Sequence, residues 1–211
     1  MQYIDHLSRD RRLKKLLLEC EPFSLKKRKN ICNYLCASIM SQQLSTKVAT
    51  VIHNRFLALY GGREPGAQQI LDTPFETLRS IGLSNAKTNY VKNVAQFEIE
   101  HGMGLSKIGK MTNEEVISYL TQIKGVGRWT VEMLLMFALG REDVFAVDDL
   151  GIQTAMMKLY GLDPSDKKKF REQLIRISTK WSPYRTYACL HLWGWKDSMP
   201  VEKKKPAAKR A

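Results

Sequence analysis

Apolar residues recur along this chain with a period near 3.6, and no stretch shows the sustained alternation of a strand. The pattern therefore predicts an all-α fold. Leu13, Leu16, Leu17 and Cys20 form the stripe of one charged helix that Pro22 ends. From Asn30 to about Leu59 the pattern stays helical but is broken by the polar pentad Ser41-Gln42-Gln43-Leu44-Ser45. That pentad is either a turn that presents side chains or a plain loop. Gly61-Gly62 marks a turn, and Thr73-Pro74-Phe75-Glu76 opens a short helix with a cap, an early proline and a glutamate. Ser80-Ile81-Gly82-Leu83-Ser84 closes it and launches the next, whose inward candidates are Ala86, Tyr90, Val91 and Ala95. Residues 102–110 read as a loop. Asp163-Pro164-Ser165-Asp166 starts a helix to about Lys180, and Ser182-Pro183 starts the last one.

The informative stretch runs from Tyr119 to Gln153. Val116, Tyr119, Leu120 and Ile123 line one helix face, begun by the capping-box pair Thr112 and Glu115. Lys124-Gly125-Val126-Gly127 interrupts it, because two glycines one residue apart allow backbone angles that other residues resist. Val131, Leu134, Leu135 and Ala138 then repeat the helical template. Helices joined this way turn backbone N–H groups outward at a helix N-terminus, and Lys124 and Arg128 flank the spot. A phosphate site is one reading, and a glycine turn between two core helices is the other. Asp148 and Asp149 follow at the mouth of the next helix, where one of them should be the N-cap.

Composition narrows the partner. The 211 residues carry 34 Lys plus Arg against 21 acids, a formal charge of +13. Such an excess points to a polyanion, nucleic acid before membrane, with a basic but solvated surface as the plainer alternative. The tail from Val201 supplies part of the charge and reads as a basic disordered arm. Cys20, Cys32, Cys36 and Cys189 form no C-x-x-C pair and no zinc spacing. Cys32 and Cys36 fit one helix face as buried free thiols. Without a signal-peptide pattern or an apolar run of transmembrane length, a reduced cytoplasmic setting is expected, beside the nucleoid if the source is bacterial.

IKGVGRWT followed by DVFAVDDLGIQ resembles the helix-hairpin-helix DNA glycosylase superfamily, and within it the 3-methyladenine DNA glycosylase II branch. SQQLS at 41–45, IGLSNAKTNYV at 81–91 and HLWGW at 191–195 extend the likeness over most of residues 30–195. The resemblance implies a two-lobed helical fold with the active-site cleft between the lobes. The lobes would be about 30–138 and about 1–29 plus 139–200, followed by the tail at 201–211. It implies a monofunctional glycosylase that excises alkylated purines from double-stranded DNA as a monomer, without a cofactor. Ala146 departs from the branch, where a proline is common, and should loosen the approach to the aspartates. The extra N-terminal β domain of longer members is expected to be absent.

The same resemblance distributes roles. Asp149 is expected to be catalytic, because the second aspartate of such pairs is, with Asp148 left as the helix cap. A carboxylate there can stabilise the oxocarbenium ion that builds at C1′ and can orient water. Trp129 stands where bifunctional relatives carry the Schiff-base lysine, so water is the expected nucleophile. Trp129 and Trp193 should line the base pocket, with Met133 and Leu150 where relatives can carry tyrosines. From pattern alone both tryptophans fit an ordinary core equally well. Lys124, Gly125, Val126, Gly127, Arg128 and Thr130 should hold the DNA backbone, and Gln43 or Leu44 should be the wedge that fills the vacated stack. Only Cys189 lies near the C-terminus, so no iron–sulfur cluster is implied. A monovalent cation on the hairpin carbonyls and no other metal is compatible. The rival functions are a non-catalytic DNA clamp and a glycosylase for deaminated or mismatched bases.

Overall fold

The structure is a computed structural model, described for residues 1–198; the basic tail expected from Val201 lies outside the described residues. Among the described residues there are helices and no strands. The chain divides into two compact units, one of residues 24–146 and one made by 1–23 with 147 onward.

The terminal unit begins with α1 (Gln2–Leu7) and α2 (Arg11–Glu19). The single N-terminal helix expected from the stripe is broken at Ser8–Asp10. The reason is Asp10, whose carboxylate accepts from the N–H groups of Arg12 and Leu13 and so starts α2. Leu13, Leu16 and Leu17 are buried as the stripe requires, while Cys20 lies beyond the helix end.

The central unit holds α3 (Ile31–Ser41), α4 (Thr46–Ala58), α5 (Ala67–Asp72), α6 (Phe75–Ser80), α7 (Asn85–His101), α8 (Leu105–Ile108), α9 (Asn113–Leu120) and α10 (Arg128–Phe137). Its core is α3 against α7. Helix α3 buries Ile31, Cys32, Leu35, Cys36, Ile39 and Met40, a wide apolar face that packs into the core. The Cys36 thiol is pushed well up by its contact with Cys32 and by burial. Helix α7 buries Thr88, Val91, Val94 and Ala95; Ala86, expected inward, is exposed. Pro74 rather than Thr73 stands at the N-cap of α6, because the Thr73 hydroxyl donates to the Gln69 carbonyl. Ser45, Ser84 and Thr112 cap α4, α7 and α9, the last with the reciprocal Glu115 bond of a capping box.

After Ala146 the chain returns to the terminal unit with α11 (Leu150–Tyr160), α12 (Lys167–Ser178), a 3₁₀ turn at Thr179–Trp181 and α13 (Arg185–Ser198). Asp166 caps α12, and Trp181 is fully buried. Asp10 joins the two ends of the sequence here, accepting from the Tyr160 hydroxyl at 2.7 Å and the Trp181 indole at 3.2 Å. Burial alone would raise the Asp10 carboxyl, but its four hydrogen bonds hold it below the usual range. Burial and this carboxylate together push the Tyr160 phenol up.

The unit boundaries fall at 23/24 and 146/147 rather than near 30 and 139. Residues 24–29 stay with the central unit because the Arg28 N–H donates to the Ala138 carbonyl and Lys27 lies against Gly140. Residues 139–146 stay because the Arg141 guanidinium donates to the carbonyls of Gly109 and Met111, and Asn113 donates to that of Asp143.

Candidate active site and hairpin

In the central unit, α9 ends at Leu120 and the chain turns through Lys124–Gly127 into α10. The two glycines do different work. Gly125 sits at φ +104°, and a Cβ there would overlap the Tyr90 ring. Gly127 has ordinary extended angles and open space around its missing Cβ; it is the N-cap of α10. With no side chain at the cap, no side-chain hydrogen bond closes off the first turn of N–H groups. Two side-chain amides hold the turn from behind, Asn93 donating to the Lys124 carbonyl at 3.1 Å and Gln42 to that of Gly125 at 3.5 Å.

Two of the hairpin residues have side chains engaged within the unit itself. The Arg128 guanidinium, expected to flank a phosphate, pairs with both oxygens of Glu114 at 2.6 and 3.1 Å and with Glu132 at 3.0 Å. Two carboxylates already neutralise it. Thr130 is buried, so it offers its backbone and not its hydroxyl to a partner outside. Val126 is also buried and anchors the turn, whereas Lys124 is exposed.

The pentad 41–45 is a tight turn between α3 and α4. Gln43 has φ 58°, the one positive value for a non-glycine among the described residues. Gln43 and Leu44 are both exposed at its tip. The turn is tied down by Lys87, whose ammonium donates to the carbonyls of Met40 and Gln42 at 3.0 and 2.6 Å. Lys87 was not visible as a candidate in the sequence. A cationic side chain three residues past a capping serine reads as a helix surface until the fold brings it under the turn.

Trp129, in the first turn of α10, is 46 % exposed, so it is not an ordinary core tryptophan. Met133, one turn on, is buried, and its carbonyl accepts from the Tyr34 hydroxyl.

In the terminal unit, the aspartates exchange the roles foreseen for the cap. Asp149 is the N-cap of α11, its Oδ1 accepting from the Ile152 N–H at 2.8 Å. Asp148 lies outside the helix and pairs with Arg171 at 3.1 Å across exposed surface. A cap reaches the N–H three residues on, and Asp149 is the residue with that offset to Ile152. The Trp193 indole donates to the same Asp149 oxygen at 2.8 Å. Gly151 makes room for this: a Cβ there would stand 3.0 Å from Asp149 Oδ1 and from the Trp193 ring. Leu150 is 77 % exposed at the start of the helix. Among the described residues no group of three His, Cys, Asp or Glu side chains is placed to hold a metal ion.

The profile of HhH-GPD superfamily base excision DNA repair proteins matches residues 36–180, through the hairpin and the aspartate cap. The chain belongs to that superfamily. Among HhH-GPD relatives, DNA-3-methyladenine glycosylase 1 of Schizosaccharomyces pombe is 38% identical over 186 residues, 87% of this chain and 80% of that protein. The S. pombe 3-methyladenine DNA glycosylase solved with abasic DNA superposes with a TM-score of 0.80 at 35% identity, over 93% of this chain and 97% of that one. A DNA-3-methyladenine glycosidase from Bacillus halodurans also gives 0.80 at 35% identity, over 92% and 88% of the two chains. The all-α helix-hairpin-helix glycosylase fold is thus shared with HhH-GPD enzymes.

Proposed function

We propose that this chain is a monofunctional DNA glycosylase that turns an alkylated purine out of the duplex and hydrolyses its bond to the sugar. The observation that carries the proposal is the Asp149 carboxylate, fixed by the Ile152 N–H and the Trp193 indole at 2.8 Å each. Two donors on one oxygen set the orientation of the group before substrate arrives. As the base leaves, positive charge moves from the base to C1′, and a fixed carboxylate beside C1′ stabilises it there more than it stabilises the ground state. The same carboxylate then orients the water that completes hydrolysis.

Trp129 supports two parts of the reading. It has no amine with which to form a Schiff base, so the sugar–phosphate backbone stays intact. Its exposed ring offers a stacking face to a flipped base, and a cationic alkylpurine gains most from a π face. In the central unit Met133 lies one turn past Trp129, and in the terminal unit Trp193 holds Asp149 with Leu150 exposed at the start of the same helix. Gln43, held in a left-handed conformation at the tip of its turn, is the wedge, with Leu44 beside it. The hairpin holds the backbone through N–H groups at the start of α10, and Lys124 supplies the charge. The names of the relatives favour alkylated purines in double-stranded DNA over deaminated or mismatched bases.

The test is to incubate the protein with methylated duplex DNA and identify the released bases by mass spectrometry. Free 3-methyladenine and 7-methylguanine, with intact abasic strands and no borohydride-trapped adduct, are expected. A trapped adduct overturns the monofunctional reading, and absence of any released base overturns the enzyme.

A further inference from the structure

Beside the wedge turn lies a groove of about 590 Å³ between α3 and α4. Ser41, two residues before Gln43, stands at one end, and Arg28 and Lys29 stand among its lining residues at the start of α3. Its walls are polar, with Ser38, Thr50 and His53, while Ala37 and Ala49 leave room in it. The hydroxyls of Ser41 and Thr50 donate to carbonyls within or at the end of their own helices, so they make the walls polar without supplying charge. The charge comes from Lys26-Lys27-Arg28-Lys29, four consecutive exposed cations with no ion pair among the described residues. Arg128 and Arg171, by contrast, are both matched to carboxylates. The quartet is fixed in place: the Arg28 N–H donates to the Ala138 carbonyl, and its guanidinium lies 5.8 Å over the Tyr34 ring. One acid, Glu64, shares the groove.

We propose that this groove takes the sugar–phosphate backbone of the duplex arm on one side of the lesion, leading it from the wedge to the Lys26–Lys29 quartet. The proposal rests on the DNA glycosylase reading and adds a second phosphate-binding site to the hairpin. The chemistry fits: an open trough lined by hydroxyls, small residues and a single acid, with unneutralised cations at one end, suits a phosphodiester chain. The dimensions fit as well. Helix α3 has 11 residues, which at 1.5 Å each is about 16 Å, or about five nucleotides at 3.4 Å per strand.

The experiment measures affinity against salt for a duplex with a central abasic-site analogue, using the full chain and two variants. Arg28→Gln/Lys29→Gln should lower the slope of log K against log salt by about 1.8, at about 0.9 for each phosphate released. Its thermal midpoint should match the parent. Ala49→Glu keeps every cation but puts a carboxylate in the trough, and should weaken binding about tenfold or more. Removing one arm of the duplex should abolish the difference between the parent and Arg28→Gln/Lys29→Gln; removing the other should leave it. An unchanged slope, an Ala49→Glu variant that binds like the parent, or a difference that survives removal of either arm overturns the groove alone. A parent chain that neither releases base nor binds duplex in a salt-dependent way overturns the glycosylase reading beneath it.

Discussion

At the scale of single residues, Asp149 does two jobs that one substitution can separate. Asparagine keeps an oxygen for the Ile152 N–H and the Trp193 indole, so the cap survives while the charge is lost. Single-turnover excision by Asp149→Asn should fall by about two to four orders of magnitude, roughly 3–5 kcal/mol at 1.36 kcal/mol per tenfold. Its thermal midpoint should barely move. Asp148→Asn removes only an exposed ion pair and should cost under about 1 kcal/mol with excision intact. If the Asp148 variant is dead and the Asp149 variant active, the assignment is reversed. Gly151→Ala puts a methyl 3.0 Å from both Asp149 Oδ1 and the Trp193 ring. It should slow excision about tenfold, read in single turnover, by displacing the carboxylate. The sequence placed two aspartates at a helix mouth but could not say which was the cap. That depends on backbone angles at one residue, φ −72° and ψ 123° at Asp149. Nor could it show the Trp193 bond, which joins residues 44 apart in sequence.

At the scale of elements, the hairpin glycines make a matched pair of probes. Gly125→Ala meets both a positive φ and the Tyr90 ring, so it should lower the thermal midpoint by several degrees. Gly127→Ala meets neither and should fold normally, yet it adds a methyl at the cap of α10 where a phosphate would approach. Its affinity for damaged and undamaged duplex should drop alike. Parent-like binding of undamaged DNA by Gly127→Ala removes the hairpin as the clamp. Helix existence and type were legible because buried stripes repeat every three or four residues: Val131, Leu134, Leu135 and Ala138 are all fully buried, as their spacing required. The break between α1 and α2 was not legible, since an aspartate in a charged segment looks like surface. Its partners, Tyr160 and Trp181, are far away in sequence. The pairing of Arg128 with Glu114 was hidden for the same reason, Glu114 being 14 residues upstream on another helix.

At the scale of the whole molecule, an unpartnered histidine sets an acid limit on stability. His191 is fully buried beside Tyr3 and Phe23, and among the described residues neither ring nitrogen has a hydrogen-bond partner. Burial lowers its pKa from 6.5 to about 4. The unfolded chain therefore binds a proton that the folded chain refuses. Its contribution is fully present above pH 6.5 and is lost as pH falls from there toward 4, by up to about 3 kcal/mol at 1.36 kcal/mol per unit. Thermal melts from pH 7.5 down to 4.5 should show this decline. His191→Phe should flatten it and raise the midpoint at pH 7, because no buried nitrogen is then left without a partner. A variant with the parent's pH profile would clear His191 of the effect.

The Asp10 carboxylate bears on the order in which the chain can take shape during synthesis. Its partners Tyr160 and Trp181 lie 150 and 171 residues downstream. At the roughly 5–20 residues per second of translation, the first helices wait on the order of ten to thirty seconds for the residues that complete the hydrogen bonds of that half-buried carboxylate. Every hydrogen bond described above for residues 24–146 closes within that stretch, so the hairpin and the Gln43 turn can be built while the ribosome is still at work. The Asp149 carboxylate belongs to the part that must wait. A nascent chain stalled before Trp181 should accordingly protect the hairpin from protease and leave the first twenty residues open to it.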